Sequence, residues 1–296
     1  MPQTSKWFNA APMGLSVLLL FGSGVSWASP LETYLERGFM AEAGPRCRLF
    51  GPAVQSALIA GREQARGAAL RAGFSARDVQ RVAERSKARA LSIPCDSPDL
   101  VAAARRVSSS FEAYSRLVRQ DFPGDRLGWK ADRSESRQRV TWRLTQDLDQ
   151  AGAKVRFGIA GRNGADSLMV VAALPGGGAP YAARIVMRDR RLTVGAYIDA
   201  RGESLRTLPL QRRLPRQGPF ESFAAQARSA AGADLLPAGV KSGWAFRFPL
   251  NAAAAIAELD PREAIMIEFL LGAGPPQRVY LEVGDFAAAR AFLAIP

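Results

Sequence analysis

Residues 97–118, SPDLVAAARRVSSSFEAYSRLV, are followed at 121–136 by DFPGDRLGWKADRSES, and these two stretches decide the predicted fold. In the first stretch, apolar side chains recur every three or four positions, which predicts the buried face of a helix. These side chains are Leu100, Ala104, Val107, Phe111, Tyr114 and Val118. The second stretch is rich in charges, glycine and turn formers, which predicts a linker. The chain is therefore expected to divide into a helical domain at 29–120, a linker at 121–136 and a second domain at 137–296.

Three further helices are predicted before residue 97. They cover Pro30–Ala43, Gly51–Arg71 and a segment that opens at Ser75. Asp78 follows Ser75 by three residues, as in a capping box, where a hydroxyl and a carboxylate satisfy free backbone donors. Proline in a first helical turn, as at Pro98, also favours a helix start.

After residue 137 the hydrophobic period changes from helical to two, which predicts strands. The predicted strands are Val140–Leu144, Val155–Ile159, Leu168–Leu174, Ala182–Met187, Leu192–Ile198, Trp244–Pro249, Ala264–Leu271 and Val279–Val283. Short helices are predicted at Phe220–Ala231, at Leu250–Leu259 and after Asp285. The glycine-rich 175–178 predicts a turn, the charged 188–191 a hairpin turn, and 202–219 a loop and sheet edge. This pattern predicts an α+β fold, with a helical N-terminal domain and a mainly antiparallel, sandwich-like β-rich domain that carries small helices.

The first 28 residues have the order of a cleavable secretory signal. Lys6 precedes the apolar run Met13–Val25, and the small residues Ser26 and Ala28 follow. The run is too short to span a bilayer, which needs about 20 residues. A buried N-terminal helix is the alternative. The signal predicts cleavage near Ala28, a periplasmic or secreted mature chain, and no transmembrane segment in that chain.

The chain is strongly basic, with a formal net charge of +13, of which Lys6 supplies one. Outside the cytoplasm such a charge favours an acidic partner: an envelope polymer, lipid head groups or an acidic envelope protein. The alternative is that the arginines reflect composition and solubility. Nucleic acid is not expected, because no recognition motif is present.

The chain contains no histidine. This excludes Ser-His-Asp and Cys-His relays and imidazole metal sites. No metal or cofactor site is therefore predicted, and no catalytic residue is assigned.

Two cysteines, Cys47 and Cys95, are the only ones in the chain. Neither lies in a CxxC pair, and a nucleophilic cysteine would lack its usual base. In an exported chain two cysteines most simply pair, and we predict a disulfide that fastens the helical domain. For a closed loop of roughly 49 residues the stabilisation is about 4 kcal/mol.

Three groups of carboxylates could do acid and base chemistry without histidine. They are Asp147 with Asp149, Glu258 with Asp260 and Glu263, and Glu282 with Asp285. A hydrolase would need two of them facing each other across a cleft. Charged loop ends beside strands are the alternative explanation.

An arginine- and proline-rich segment, TLPLQRRLPRQGPFESF at 207–223, is the predicted binding segment. We expect Arg206, Arg212, Arg213 and Arg216 to form a basic rim over an apolar groove that holds an anion or a partner. The general behaviour of loops favours a solvated irregular loop over such a rim for this segment.

The end of the chain resembles a known family. FRFPLNAAAAIAELDPREAIMIEFLLG at 246–272 and RVYLEVGDFAAARAFL at 278–293 are similar in layout to the end of the exported invasion-associated locus B proteins of alphaproteobacteria. Gly284-Asp285-Phe286 occupies the start of the final helix. The resemblance implies an envelope protein with a β-sandwich-like domain and no assigned reaction. Members usually carry cysteines in the β domain, whereas both cysteines here precede it.

These observations favour an exported, non-enzymatic binding or adaptor protein of a bacterial cell envelope, with a basic surface and an acidic envelope component or envelope protein as partner. The alternatives are a carboxylate-dependent hydrolase acting on an envelope polymer, and a structural domain pair whose helical face docks onto a partner subunit.

Overall fold

Four helices form the first part of the chain. The computed structural model describes residues 29–134, 136, 138–162 and 164–296, so the predicted signal at 1–28 lies outside the described residues. The helices are α1 (Pro30–Cys47), α2 (Pro52–Arg71), α3 (Ala76–Ser92) and α4 (Pro98–Ser115). Ser75 and Asp78 form the predicted capping box, because the Ser75 hydroxyl accepts from the Asp78 amide and the Asp78 carboxylate accepts from the Ser75 amide.

The predicted disulfide is confirmed. Cys47 at the end of α1 is bonded to Cys95 in the turn that precedes α4. The bond joins segments 48 residues apart in sequence and fixes the end of α1 to the start of α4.

The rest of the chain forms two antiparallel sheets. Their strands are β1 (Arg119–Phe122), β2 (Trp129–Asp132), β3 (Thr141–Gln150), β4 (Ala153–Gly161), β5 (Ser167–Ala173), β6 (Ala182–Arg188), β7 (Phe220–Ala224), β8 (Ala227–Ala230), β9 (Trp244–Phe248), β10 (Ala264–Leu270) and β11 (Gln277–Glu282). The first sheet has the order β1-β2-β3-β4-β5-β9-β8, and the second has the order β11-β10-β6-β7. Two short helices, α5 (Leu250–Glu258) and α6 (Phe286–Leu293), complete the described chain. The α+β prediction is confirmed.

The two sheets, α5, α6 and one face of α2 share the main hydrophobic core, whereas α1–α4 pack around two smaller clusters of their own. Phe246 of the first sheet meets Phe269 of the second, with ring centroids 5.9 Å apart. Phe286 of α6 packs on Trp129 of β2 at 4.9 Å. Ala57 and Ala60 of α2 are buried in the same cluster. The helical part therefore contacts the β-rich part mainly through α2, which packs against α6.

The structure corrects two segment predictions and adds strands to a third segment. Residues 220–231 were expected to be helical, but they form β7 and β8, because their backbone pairs with β6 in one sheet and β9 in the other. Residues 192–198 form no strand, and the chain instead makes an irregular excursion at 189–219 with one 3-10 helix at Leu210–Arg213. The segment 121–136, expected to be a linker, contains β2 and the end of β1. Within the described ranges, every helix is too short or too polar to cross a bilayer.

Candidate anion-binding groove

The outer face of the second sheet carries a row of charges. Side chains of a strand alternate between its two faces, so the buried Ile185, Ile267 and Val279 face the core. Their neighbours on the opposite face include Arg184 and Glu268. Glu268 of β10 lies directly opposite Arg184 of β6 and Arg278 of β11.

This row places one carboxylate between two guanidinium groups. The Arg184 Nε donates to Glu268 at 2.5 Å, and the Arg278 Nε donates to the other Glu268 oxygen at 2.7 Å. The Glu268 side chain is 2% exposed, whereas the arginine side chains are 49% and 54% exposed. Burial alone would raise the pKa of Glu268, but hydrogen bonds from both arginines outweigh burial and hold it below its ordinary value.

Both arginines keep hydrogen-bond donors free. Each uses only its Nε on Glu268, and among the described residues the terminal nitrogens of Arg184 and Arg278 have no hydrogen-bond partner. A guanidinium has five N–H donors in a planar fork. The pair can therefore donate to a carboxylate or phosphate, and its net charge with Glu268 is positive.

An apolar row lies next to the charged row. Tyr280, Met266 and Val186 stand opposite one another on the three strands, and Ser222 of β7 extends the row. These residues form the floor of a groove of about 510 Å³. The charged row lies at one end of that floor.

The excursion at 189–219 supplies the wall of the groove. Gln211, Leu214 and Pro215 line it together with Arg212 and Arg216. We call this cavity, with Arg184, Arg212, Arg216 and Arg278, the arginine groove.

Arg213 attaches the wall to the second sheet. Its side chain is fully buried and donates from Nη1 to the Glu282 carboxylate at 3.1 Å. That carboxylate also accepts the backbone amides of Asp125, Arg126 and Leu127 at 2.6, 2.8 and 2.7 Å. The Glu282 carboxylate thus accepts from four donors and has no exposed surface, so all of its hydrogen bonds lie within the protein. The wall is thus held to the sheet by an ion pair that a ligand cannot reach.

Arg212 of the wall is held by two carboxylates of the excursion. Its Nη1 donates to Glu203, and its Nε lies 3.8 Å from Asp199. Its Nη2 is buried and has no hydrogen-bond partner among the described residues. Arg212 therefore helps to hold the wall in place, and the exposed Arg216 is the wall's donor for a ligand.

The structure separates the four arginines predicted from sequence. Arg212 and Arg216 line the arginine groove. Arg206 lies in a separate open depression beside Arg71 and Asp125. Arg213, expected at the rim, is 0% exposed and points inward, because its guanidinium compensates the buried Glu282.

Sequence reasoning missed Arg184, Glu268 and Arg278. They are distant in sequence and meet only through the register of three strands. A signal was present, because each is a charge on a strand whose alternate positions are strongly apolar. A charged side chain within such a strand needs a partner of opposite charge, and here that partner lies directly opposite it on the neighbouring strand.

The carboxylates weighed as catalytic candidates are held mostly by arginines. Asp147 pairs with Arg156, Glu258 with Arg190, Asp260 with Arg262, Glu263 with Arg188, Glu282 with Arg213 and Asp285 with Arg71. Asp149 is exposed on β3, opposite Lys154. In the described part of the chain, no cluster of three or more histidine, cysteine, aspartate or glutamate side chains could hold a metal ion.

Comparison with known proteins adds no relative. No protein-family model, curated protein or solved structure matches this chain. The resemblance of 246–293 to the invasion-associated locus B proteins therefore stays a prediction.

Proposed function

We propose that the chain is an exported, non-enzymatic binding protein of the bacterial cell envelope, and that it holds an acidic ligand in the arginine groove. The observation that carries the proposal is the excess of donors in the groove. Two guanidiniums share one carboxylate at the Arg184 row, and the exposed Arg216 lines the same groove. Charge-assisted hydrogen bonds from arginine are among the strongest that proteins make to carboxylate and phosphate.

Two features support the location. Residues 1–28 have the order of a secretory signal. The chain also joins its two cysteines in a disulfide, and such bonds persist in oxidising compartments. The periplasm, or the medium after secretion, satisfies both.

Octanoate is the first probe of the groove, because it combines a carboxylate with an apolar chain. We expect titration calorimetry to detect octanoate binding and to detect none for octanol. Arg184→Gln with Arg278→Gln should weaken octanoate binding about 10-fold, since about 1.4 kcal/mol is lost with the charged donors. Binding should also weaken with added salt.

The matched control is Arg77→Gln with Arg85→Gln on α3. Both arginines are exposed, and the double change removes the same formal charge at a distant surface. Equal loss of octanoate binding in the two double variants would refute the groove as the site. N-terminal sequencing of protein exported from cells expressing the full chain tests the location, and we expect the mature protein to start near Ser29.

A further inference from the structure

The arginine groove has basic groups at both ends. Arg184 and Arg278 lie at one end, on the strands of the second sheet. Arg212 and Arg216 lie in the wall, on the excursion that crosses that sheet. In the wall, Glu203 and Asp199 already hold Arg212, so the exposed Arg216 is the group that can meet a second negative charge.

The separation of the two ends follows from the strand register. The wall crosses the sheet where Arg213 meets Glu282, and Glu282 stands opposite Ala264 of β10. Glu268 is four residues further along the same strand. At about 3.4 Å per residue the two rows are about 14 Å apart.

The space between the ends is apolar. Met266, Val186 and Tyr280 form the floor there, and Leu214 and Pro215 of the wall also line the groove. A charge placed over this middle would lose water without gaining a hydrogen-bond partner, which costs free energy. A ligand charged along its whole length would thus fit worse than one charged only at its ends.

We propose that the arginine groove binds a linear ligand with an acidic group at each end and an apolar chain between them, as in an α,ω-dicarboxylate. One acidic group would accept from the terminal nitrogens of Arg184 and Arg278. The other would accept from Arg216, which is exposed and lines the groove beside Arg212. This inference rests on the proposed function and adds the two-ended form of the ligand.

The experiment compares linear dicarboxylates of about 8 to 16 carbon atoms with the monocarboxylates of equal length, on the unmodified protein. Linking two binding groups helps only when the linker spans both sites. We expect an optimum length at which the diacid binds about 10-fold tighter than the monoacid. The advantage should fall away at shorter lengths.

Two double variants assign the ends. Arg184→Gln with Arg278→Gln, and separately Arg212→Gln with Arg216→Gln, should each remove the diacid advantage and leave weaker binding of the monoacid. Arg77→Gln with Arg85→Gln should leave the advantage intact. The length series needs no variant, so it decides the matter even if a groove variant fails to fold.

The outcomes separate the two claims. Equal affinity of diacids and monoacids at every length overturns the two-ended ligand and leaves the proposed function standing. Binding of polyglutamate in the groove, with no binding of any diacid, also overturns it in favour of an acidic polymer. Absence of binding by every acidic probe overturns the proposed function itself.

Discussion

Arginines of the interior and arginines of the groove differ in their ratio to carboxylates. In the interior, Arg188 meets Glu263 through two hydrogen bonds of 2.5 and 2.8 Å, and backbone amides supply the remaining donors to that carboxylate. In the groove, Arg184 and Arg278 share Glu268 alone. The interior is balanced, whereas the groove has a surplus of positive charge and donors. Two guanidiniums on one carboxylate therefore distinguish Arg184 and Arg278 from the paired arginines of the interior.

The largest expected effect is at the interior Glu282. Glu282→Gln keeps the volume but removes the charge that compensates the buried Arg213. It also replaces an acceptor oxygen of the carboxylate, which holds three backbone amides, with a donor group. We expect the free energy of unfolding to fall by about 4 kcal/mol, as for a buried pair that loses one partner. Urea denaturation measures the loss.

Glu258→Gln is the matched control for that change. Glu258 pairs with Arg190 at an exposed position, so the loss should stay below about 1 kcal/mol. Equal losses for the two variants would contradict the distinction between interior and surface pairs.

The next effect concerns the pair between Arg71 of α2 and Asp285 at the start of α6. Arg71 donates to both Asp285 oxygens, at 2.5 and 2.9 Å. A methyl group added at Gly67 would lie 2.0 Å from one of those oxygens. Gly67→Ala should therefore cost about 2 kcal/mol of stability, because the clash outweighs the better helix propensity of alanine.

Gly232→Ala checks that loss by thermal unfolding. Among the residues that the structure describes, nothing lies within 4 Å of a methyl group at Gly232, and the Gly232 backbone is in an ordinary extended conformation. We expect a change of less than about 0.5 kcal/mol. If Gly67→Ala were equally neutral, the close contact between α2 and Asp285 would be wrong.

A change at Glu268 in the groove should lower the free energy of unfolding less than the changes at Glu282 and Gly67 do, and it should strengthen ligand binding. Glu268→Gln removes the carboxylate that Arg184 and Arg278 share, and both arginines are half exposed. The stability loss should be about 1 kcal/mol, since solvent screens the two charges. Octanoate should bind several-fold tighter, because Glu268 no longer competes for the guanidiniums. Weaker octanoate binding would refute the surplus of donors.

The smallest effect is the pH dependence of that same variant. The folded pKa of Glu268 lies below its ordinary value of 4.5. Its charge therefore adds stability that is fully present above pH 4.5 and is lost as the pH falls through the lowered pKa. The difference in unfolding free energy between the wild type and Glu268→Gln should shrink below pH 4.5. A difference that grows on acidification would show the opposite sign of the shift.

Much of the fold could be predicted from local sequence signals. Capping residues such as Ser75 and the change from helical to alternating periodicity located the helices and most strands. The segment 220–231 failed because its alanines favour a helix, whereas pairing with β6 and β9 makes it strand. Tertiary pairing overrides such weak propensities.

Two of the four arginines of the groove could be predicted from the sequence. Arg212 and Arg216 lie in a basic, proline-rich segment that suggested a rim. Whether a given arginine of that segment faces solvent or the core depends on partners that are distant in sequence. Arg213 faces the core because it pairs with the buried Glu282. The Arg184–Glu268–Arg278 row required the strand register, which no local pattern specifies.

The order of the strands also bears on how the protein folds. The chain leaves the first sheet after β5, returns to it after β7 and leaves it again after β9. Neither sheet can be completed from a continuous piece of chain, so both must assemble together. We expect slow folding dominated by non-local contacts, and unfolding of the two sheets in one cooperative transition.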